Sequence, residues 1–402
     1  MADIIVKQKN VPELRFPEYQ NEWKKTIFDD IFNERKEKTD DLNLNPIYSL
    51  TVESGLTHKT DRYNREYLVK RKNNYKIVKK DDIVFNPMNI TLGAIDISKT
   101  AYNIVVSGYY NVLIPKKNIH PDFIAQYLST HKMINHFKRI ATGSLKEKQR
   151  VHYSEFKKIK RGIPTLKEQQ KIGDFFNKLD RRIELEGQKL ALLEEQKKGY
   201  MQKVFSQELR FKDRHGDDYP DWKEEKLDYL IEVSNKKSQI QDEYPVLTSS
   251  RNGLFFQSDY YKDGKTFGSN NIGYFIFPKE YITYRSRSDD GKFTFNINNI
   301  IEKGLISKYY PVFKGTKIDT SFLLLVLNYS LKRQLKRIAI GTSQLVLSIN
   351  ELTKLYINIP IHLEQEKISN FFQKVEQRIE MQTQKVNLLK KQKQGFLQKM
   401  FI

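Results

Sequence analysis

The sequence predicts an α+β fold with a pseudo-two-fold internal repeat: two tandem mixed α/β domains separated by two long helices packed as an antiparallel coiled coil. Three observations predict it. A segment of more than forty residues is nearly copied at the end of each half, each copy carries a heptad stripe of apolar residues, and the stretches between hold short strand-like runs.

The copies begin at Ile163-Pro164 and Ile359-Pro360 and align without a gap at an offset of 196 residues, with about half the positions identical. The repeat continues weakly upstream. Glu13-Leu14-Arg15-Phe16 with Trp23 recurs as Glu208-Leu209-Arg210-Phe211 with Trp222, and Leu50 and Gly55-Leu56 echo Leu247 and Gly253-Leu254. Tyr109-Tyr110 echoes Tyr309-Tyr310, and Ala141-Thr142-Gly143 echoes Ala339-Ile340-Gly341. The expected division is 1–162 and 208–358 for the domains, with 163–207 and 359–402 for the helices.

Each copied segment is a helix. Pro164 sits near its start, where a missing N–H costs nothing. The stripe runs through Ile172, Phe176, Leu179, Ile183, Leu190, Leu193, Tyr200 and Val204, in steps of four and three with interruptions at Glu186 and Lys197. The second copy gives Ile368, Phe372, Val375, Ile379, Val386, Leu389, Phe396 and Met400, interrupted at Gln382 and Lys393. About 60 Å is the span of forty helical residues. Buried charge needs a partner, so the expected register faces Glu186 with Lys393 and Lys197 with Gln382. That register sets Ile183 on Phe396, Leu179 on Met400 and Val204 on Val375.

Strands are expected at Tyr75–Val78, Ile83–Asn86, Ile104–Ser107 and Tyr110–Ile114, then at Pro245–Thr248, Tyr274–Pro278, Tyr281–Arg285 and Tyr310–Phe313. All are short, β-branched or aromatic, and bounded by turn residues. A helix follows in each half, Pro121–Arg139 and Ser321–Ile338, ending in basic residues that suit the helix dipole.

Composition narrows the function. The 402 residues carry 70 Lys+Arg against 49 Asp+Glu, a formal charge of +21 that points to nucleic acid. With no cysteine there is neither a disulfide nor a thiolate metal site. The N-terminus lacks the apolar core of a signal peptide, and the longest apolar run, Phe322–Leu327, is far short of a membrane span. A cytoplasmic protein is expected. Catalytic motifs are missing. Asn86-Pro87-Met88-Asn89 lacks the second proline and the aromatic of a methyltransferase motif and reads as a strand end. No phosphate-binding G-x-x-x-x-G-K-[ST] occurs. Asp263-Gly264-Lys265 and Asp289-Asp290-Gly291-Lys292 read as turns, and His131 and His136 are five apart, wrong for two ligands on one helix face.

The opening Pro-Glu-Leu-Arg-Phe-Pro (Pro12–Pro17) with Trp23, and the repeated P-x-x-x-E-Q-x-K-I-x-x-F-F from Pro164 and Pro360, resemble the specificity subunits of type I restriction–modification systems. So do the closing Gly199-Tyr200-Met201-Gln202-Lys203 and Gly395-Phe396-Leu397-Gln398-Lys399. The resemblance implies that each domain is a target-recognition domain reading one half of a split double-stranded DNA target. It implies that the helices are a spacer that docks modification (methyltransferase) subunits, joined by restriction (translocase/endonuclease) subunits. S-adenosylmethionine, ATP and magnesium would then sit on those partners, and this chain would bind no cofactor or metal and have no catalytic residues. A pseudo-dimeric DNA-binding regulator or architectural protein explains charge and duplication equally well, but explains less well the many Gln and Lys residues kept on both helices.

DNA-reading side chains belong in polar loops between strands. The candidates in the first half are Ser49, Thr51, Ser54, His58, Lys59 and Arg62, then Asn89 and Thr91, then Thr142, Ser144, Lys146, Lys148, Gln149 and Arg150. In the second half they are Thr248, Ser249, Ser250, Arg251 and Asn252, then Arg285, Ser286, Arg287 and Ser288, then Thr342, Ser343 and Gln344. Arg285 and Arg287 lead, because arginine on guanine is the commonest specific contact. Tyr109 and Tyr309 read as packing aromatics.

Overall fold

The computed structural model describes residues 10–40, 42, 44–59, 75–143, 149–261 and 270–402. The chain divides into two compact units, Met1–Lys189 with Gln382–Ile402, and Leu190–Met381. The division falls within both long helices, which run Leu166–Phe205 and His362–Lys399.

In the first unit an antiparallel sheet has the strand order Phe32–Glu34, Asn111–Pro115, Ile83–Phe85, Ile95–Ile97. Ile83, Val84 and Phe85 are all buried, which explains a run of apolar residues in place of alternation. A second pairing, Lys24–Ile27 with Lys160–Ile163, ties the opening of the domain to the start of the long helix. Next to the sheet are two helices, Pro121–Leu128 and His131–Ile140. The single expected helix is broken at Ser129-Thr130, where the Thr130 hydroxyl accepts from the Met133 N–H at 3.3 Å and caps a new start.

The second unit repeats this plan. Its sheet has the order Ile231–Ser234, Val312–Gly315, Ile282–Tyr284, Phe295–Ile297, and Lys223–Lys226 pairs with Tyr356–Ile359. Its helical stretch is Thr320–Leu325, a π-helical turn Val326–Ser330, and Lys332–Ile338.

The repeated motif residues fasten each long helix to its domain. Glu168 is 1% exposed and takes a bidentate pair from Arg15 (Nε 2.7 Å, Nη2 2.8 Å) and the Trp23 indole N–H at 3.2 Å. Glu364 takes the same fork from Arg210, at 3.1 and 2.7 Å. Beside them, Gln169 accepts from the His120 N–H and donates to the Pro164 carbonyl, and Gln365 does so with Asp319 and Pro360. These are buried polar groups with complete partners, which explains why the Glu-Gln pair appears in both copies. Phe16 and Phe211 follow the two arginines and meet Phe175 and Phe371 edge-on, at 6.2 and 5.6 Å.

Within each unit the long-helix segments run antiparallel, as expected, but the register differs by about one heptad. In the first unit Lys393 pairs with Asp180 at 2.6 Å, while Glu186 accepts from Gln382 Nε2 at 2.7 Å and meets Lys385 at 2.5 Å. Phe396 packs on Phe175, at 5.1 Å, instead of Ile183. In the second unit Lys197 pairs with Glu376, and Tyr200 meets Phe371 edge-on at 5.3 Å. The reason is that Lys385, Asp180 and Glu376 lie beside the stripe and reach into its layers. Each seam charge thus gains an ionic partner from beside the stripe, and Glu186 also keeps the seam residue Gln382, so the Glu186–Lys393 pairing is not needed to satisfy either charge. Of the expected seam residues only Tyr200 is exposed; the rest are buried or half-buried.

The helix ends enter the domain cores. Met400 and Phe401 join Trp23, Phe123, Tyr127 and Phe176 in the first unit, where Phe401 stacks on Tyr127 at 5.3 Å. Val204 and Phe205 do the same in the second, with Leu227, Phe322 and Phe372. Met400 and Val204 therefore serve the cores rather than the layers opposite Leu179 and Val375.

Candidate nucleic-acid interface

In each unit a β-hairpin, the loop after the buried central strand and a glycine loop come together. The hairpins are Tyr48–Thr51 with Gly55–His58, and Leu247–Ser250 with Gly253–Phe256. The expected alignment of 50–55 with 247–253 is thus a real equivalence. Gly55 has φ +60° and a side chain there would meet the Asp96 carboxylate at 2.1 Å, so this turn admits only glycine. Asp96 Oδ2 accepts the Leu56 N–H at 2.8 Å. Burial raises its pKa, opposed by the N–H groups of Leu56 and Ile97. In the second unit Asn296 does the same job with the opposite polarity, donating to Ser249 Oγ at 2.8 Å and the Ser250 carbonyl at 2.9 Å.

The second unit brings its three candidate loops into contact. Arg287-Ser288 pairs as a short strand with Leu345-Val346, and Gln344 Nε2 donates to Asp289 at 2.9 Å. Arg251 forms a bidentate pair with Asp290 at 2.5 and 3.1 Å. The Lys292 N–H, then Arg251 and Ser288, hold the Asp290 carboxyl far below the usual carboxylate range. The expected turn at Asp289–Lys292 is present, with Gly291 at φ +75°. Gly341 has φ +138°, and a side chain there would strike the Gln344 carbonyl at 2.1 Å.

Arg285 and Arg287 are exposed and edge a cleft shared with Thr248, Gln257, Tyr274 and Tyr309. Their loop is held from beneath. Tyr284 donates its hydroxyl to the Leu347 carbonyl at 3.0 Å, and Ser286 donates to the Tyr309 carbonyl at 2.8 Å. The Arg287 guanidinium lies 5.5 Å from the Tyr309 ring centroid, a cation–π arrangement. Tyr309 is 57% exposed and Tyr109 88%, so neither is the packing aromatic expected from sequence. Both stand on the surface, and Tyr309 lies beside the Arg285–Arg287 loop.

Strand register gives the equivalent positions in the first unit. Ile83 pairs with Ile97 and Leu113, as Ile282 pairs with Ile297 and Phe313. Asn86, Pro87 and Met88 therefore stand where Arg285, Ser286 and Arg287 stand. Sequence reading took Asn86-Pro87 for a strand end only. Aligning the two copies on Ile83-Val84-Phe85 and Ile282-Thr283-Tyr284 is the signal that finds them.

The other candidates separate. Ser54, Asn89, Thr142, Arg150, Asn252, Thr342 and Ser343 are exposed. Thr51, Ser54 and Asn89 line one cleft beside the first hairpin, and the Val151 N–H bonds the Pro87 carbonyl at 3.0 Å, next to the bridged residues Thr142 and Arg150. Ser49, His58, Lys59, Gln149, Ser250, Ser286 and Gln344 are half-buried, and Thr91, Thr248, Ser249 and Ser288 are buried; Ser249 and Ser288 bond Asn296 and Asp290 within the scaffold, while Thr248 lines the cleft of Arg285 and Arg287. Arg62, Ser144, Lys146, Lys148 and the Asp263–Lys265 turn lie outside the described residues. Among the described residues, no cluster of three or more His, Asp or Glu side chains could hold a metal, and no helix is long and apolar enough to cross a membrane.

The model of the type I restriction modification DNA specificity domain family matches residues 20–195 and 219–391. A type I restriction enzyme specificity subunit, MjaVIII of Methanocaldococcus jannaschii, is 25% identical over 245 residues, 53% of this chain. The aligned stretch spans 54% of that relative's length. The S subunit of a type I restriction–modification system from M. genitalium shares the fold, with TM-score 0.61 at 15% identity over 98% of this chain and 99% of that one. So does a chain solved in a study of complex assembly and conformational transition of the type I R-M system, with TM-score 0.52 at 16% identity over 94% and 97%.

Proposed function

We propose, from the premise that this chain belongs to the family of type I restriction–modification DNA specificity domains, that it is the subunit that selects the DNA target of such a system. Each unit reads one half of a bipartite sequence, and because the loops differ in chemistry at equivalent positions, the two half-sites differ. The observation that carries this reading is one scaffold present twice, with Arg285-Ser286-Arg287 in one copy where the other has Asn86-Pro87-Met88. The positive charge supplies backbone affinity, and the loops supply sequence.

The chain provides recognition and leaves methyl transfer and cleavage to partner subunits, which carry S-adenosylmethionine, ATP and magnesium. Docking of those partners on the long helices is supported by exposed apolar residues at matching positions. Leu185 and Met381 are equivalent in the repeat, as are Leu192 and Leu388, with exposures from 48% to 69%. The members of each helix's pair, Leu185 with Leu192 and Met381 with Leu388, are seven residues apart and share one face, which favours a partner over an isolated exposed residue. The experiment is methylome sequencing of a host carrying the chain with its partner subunits. A methylated bipartite motif with unlike halves that disappears when this chain is deleted is the expected result. Methyl transfer by the isolated chain would overturn the division of labour.

A further inference from the structure

The same short loop occupies the same place in both units with opposite chemistry, and that contrast says what each half-site contains. In the second unit the loop is Arg285-Ser286-Arg287. Both guanidinium groups are exposed, and the backbone beneath them is fixed by the buried Tyr284 hydroxyl, by Ser286 on the Tyr309 carbonyl and by the strand pairing of Arg287 with Val346. Arg287 is further oriented by the face of Tyr309. A planar donor fork held on a rigid strand end matches the O6 and N7 acceptors of guanine in the major groove. Arg251, by contrast, is engaged by Asp290 through both nitrogens and must give up that pair before touching a base.

In the first unit Met88 replaces Arg287. It is 49% exposed and has no N–H or O–H to offer. Asn86 replaces Arg285, and its Oδ1 accepts the Met88 N–H at 3.1 Å, which aims Met88 outward from a tight turn. An apolar thioether in the groove meets the thymine methyl favourably and leaves the polar edge of a G·C pair unmatched.

We infer that this loop sets the base-pair class of each half-site: Arg285 and Arg287 select guanine in the half read by the second unit, and Asn86 and Met88 select an A·T pair in the half read by the first. The assignment rests on the reading that each unit recognises one half-site.

The test is sequence selection from a randomised duplex library by the full chain and its variants. In the Arg285→Asn, Arg287→Met double variant, preference for guanine falls about 10- to 100-fold at one or two positions of one half-site, with the other half and the spacing unchanged. Arg287→Lys keeps the charge, loses the fork, and gives an intermediate loss. Met88→Arg gains guanine in the opposite half-site. Tryptophan fluorescence of Trp222 confirms that the exposed substitutions leave the second unit folded. Guanine preference that survives the double variant, or Met88→Arg acting on the same half-site as Arg287→Met, overturns the assignment while leaving bipartite recognition intact. Enrichment of no sequence by the native chain overturns both.

Discussion

Removing the Glu168 carboxylate should unfold the first unit more readily than removing Glu364 unfolds the second. Glu168 is 1% exposed and Arg15 13% by side chain, so the pair is nearly dry. In Glu168→Ala, Arg15 loses both of its bonds to the carboxylate and the Trp23 indole loses its acceptor. Breaking a buried pair from one side costs about 3–5 kcal/mol. Arg210 is better insured. Besides Glu364 it donates to the carbonyls of Tyr219 at 3.2 Å and Pro220 at 2.7 Å, and these remain in Glu364→Ala. Each hydrogen bond to a charged group is worth about 1.5–3 kcal/mol, so the second loss should be smaller by at least about 1.5 kcal/mol. The two tryptophans, Trp23 and Trp222, fall one in each unit and make the assay direct. Urea unfolding followed by fluorescence in a Trp222→Phe background reports the first unit, and in a Trp23→Phe background the second. Equal losses in the two units, or a Glu168→Ala loss below about 1 kcal/mol, would refute the argument that this carboxylate fastens the helix to its domain.

Phe401→Ala removes a fully buried ring from between Tyr127, Phe123 and Phe176, and should cost about 3–5 kcal/mol in the Trp23 transition while leaving the Trp222 transition in place. In this cysteine-free chain a Glu186→Cys, Gln382→Cys pair should crosslink under oxidation and a Glu186→Cys, Lys393→Cys pair should not, read by gel mobility under non-reducing conditions; the reverse would restore the register expected from charge matching. His136 is held near pKa 4, against an ordinary 6.5, by burial and then by Arg161 and Arg139. The unfolded chain therefore takes up a proton that the fold refuses, so stability drops as pH falls from 6.5 toward 4, and His136→Gln should flatten that slope by a few degrees of Tm at pH 5, about the effect of 1 kcal/mol.

Much of the architecture is legible because it is written as periodicity. Tyr75–Val78 is a strand residue for residue, and both long helices follow their heptads. Lys24–Ile27 and Lys223–Lys226 escape such reading, since KKTI and KEEK carry no strand signal and become strands only by pairing with the segments that open the long helices. The helix break at Thr130 is a local capping contest that periodicity does not weigh. Register was hidden because Asp180, Lys385 and Glu376 stand outside the stripe yet supply the partners. At the site, the equivalence of the 50–55 and 247–253 loops is readable from their glycines, whereas the hairpins that frame them and the exposure of Tyr109 and Tyr309 are not, because an aromatic pair before a strand looks the same whether the first ring turns inward or outward.

The packing of Met400 and Phe401 into the first unit has a consequence for synthesis on the ribosome. The Tyr127 hydroxyl bonds the Ile402 carbonyl, and Lys132 bonds that of Phe401, so this core closes on residues made after the whole of the second unit. The second unit, Leu190–Met381, is continuous in sequence and holds all its own parts. At about 5–20 residues per second, the first unit waits on the order of 10–40 s after its own domain has emerged. Vectorial folding is thereby inverted: the unit translated second is completed first, and the unit translated first carries an open aromatic socket that a chaperone or a neighbouring nascent chain can reach until Met400 and Phe401 emerge.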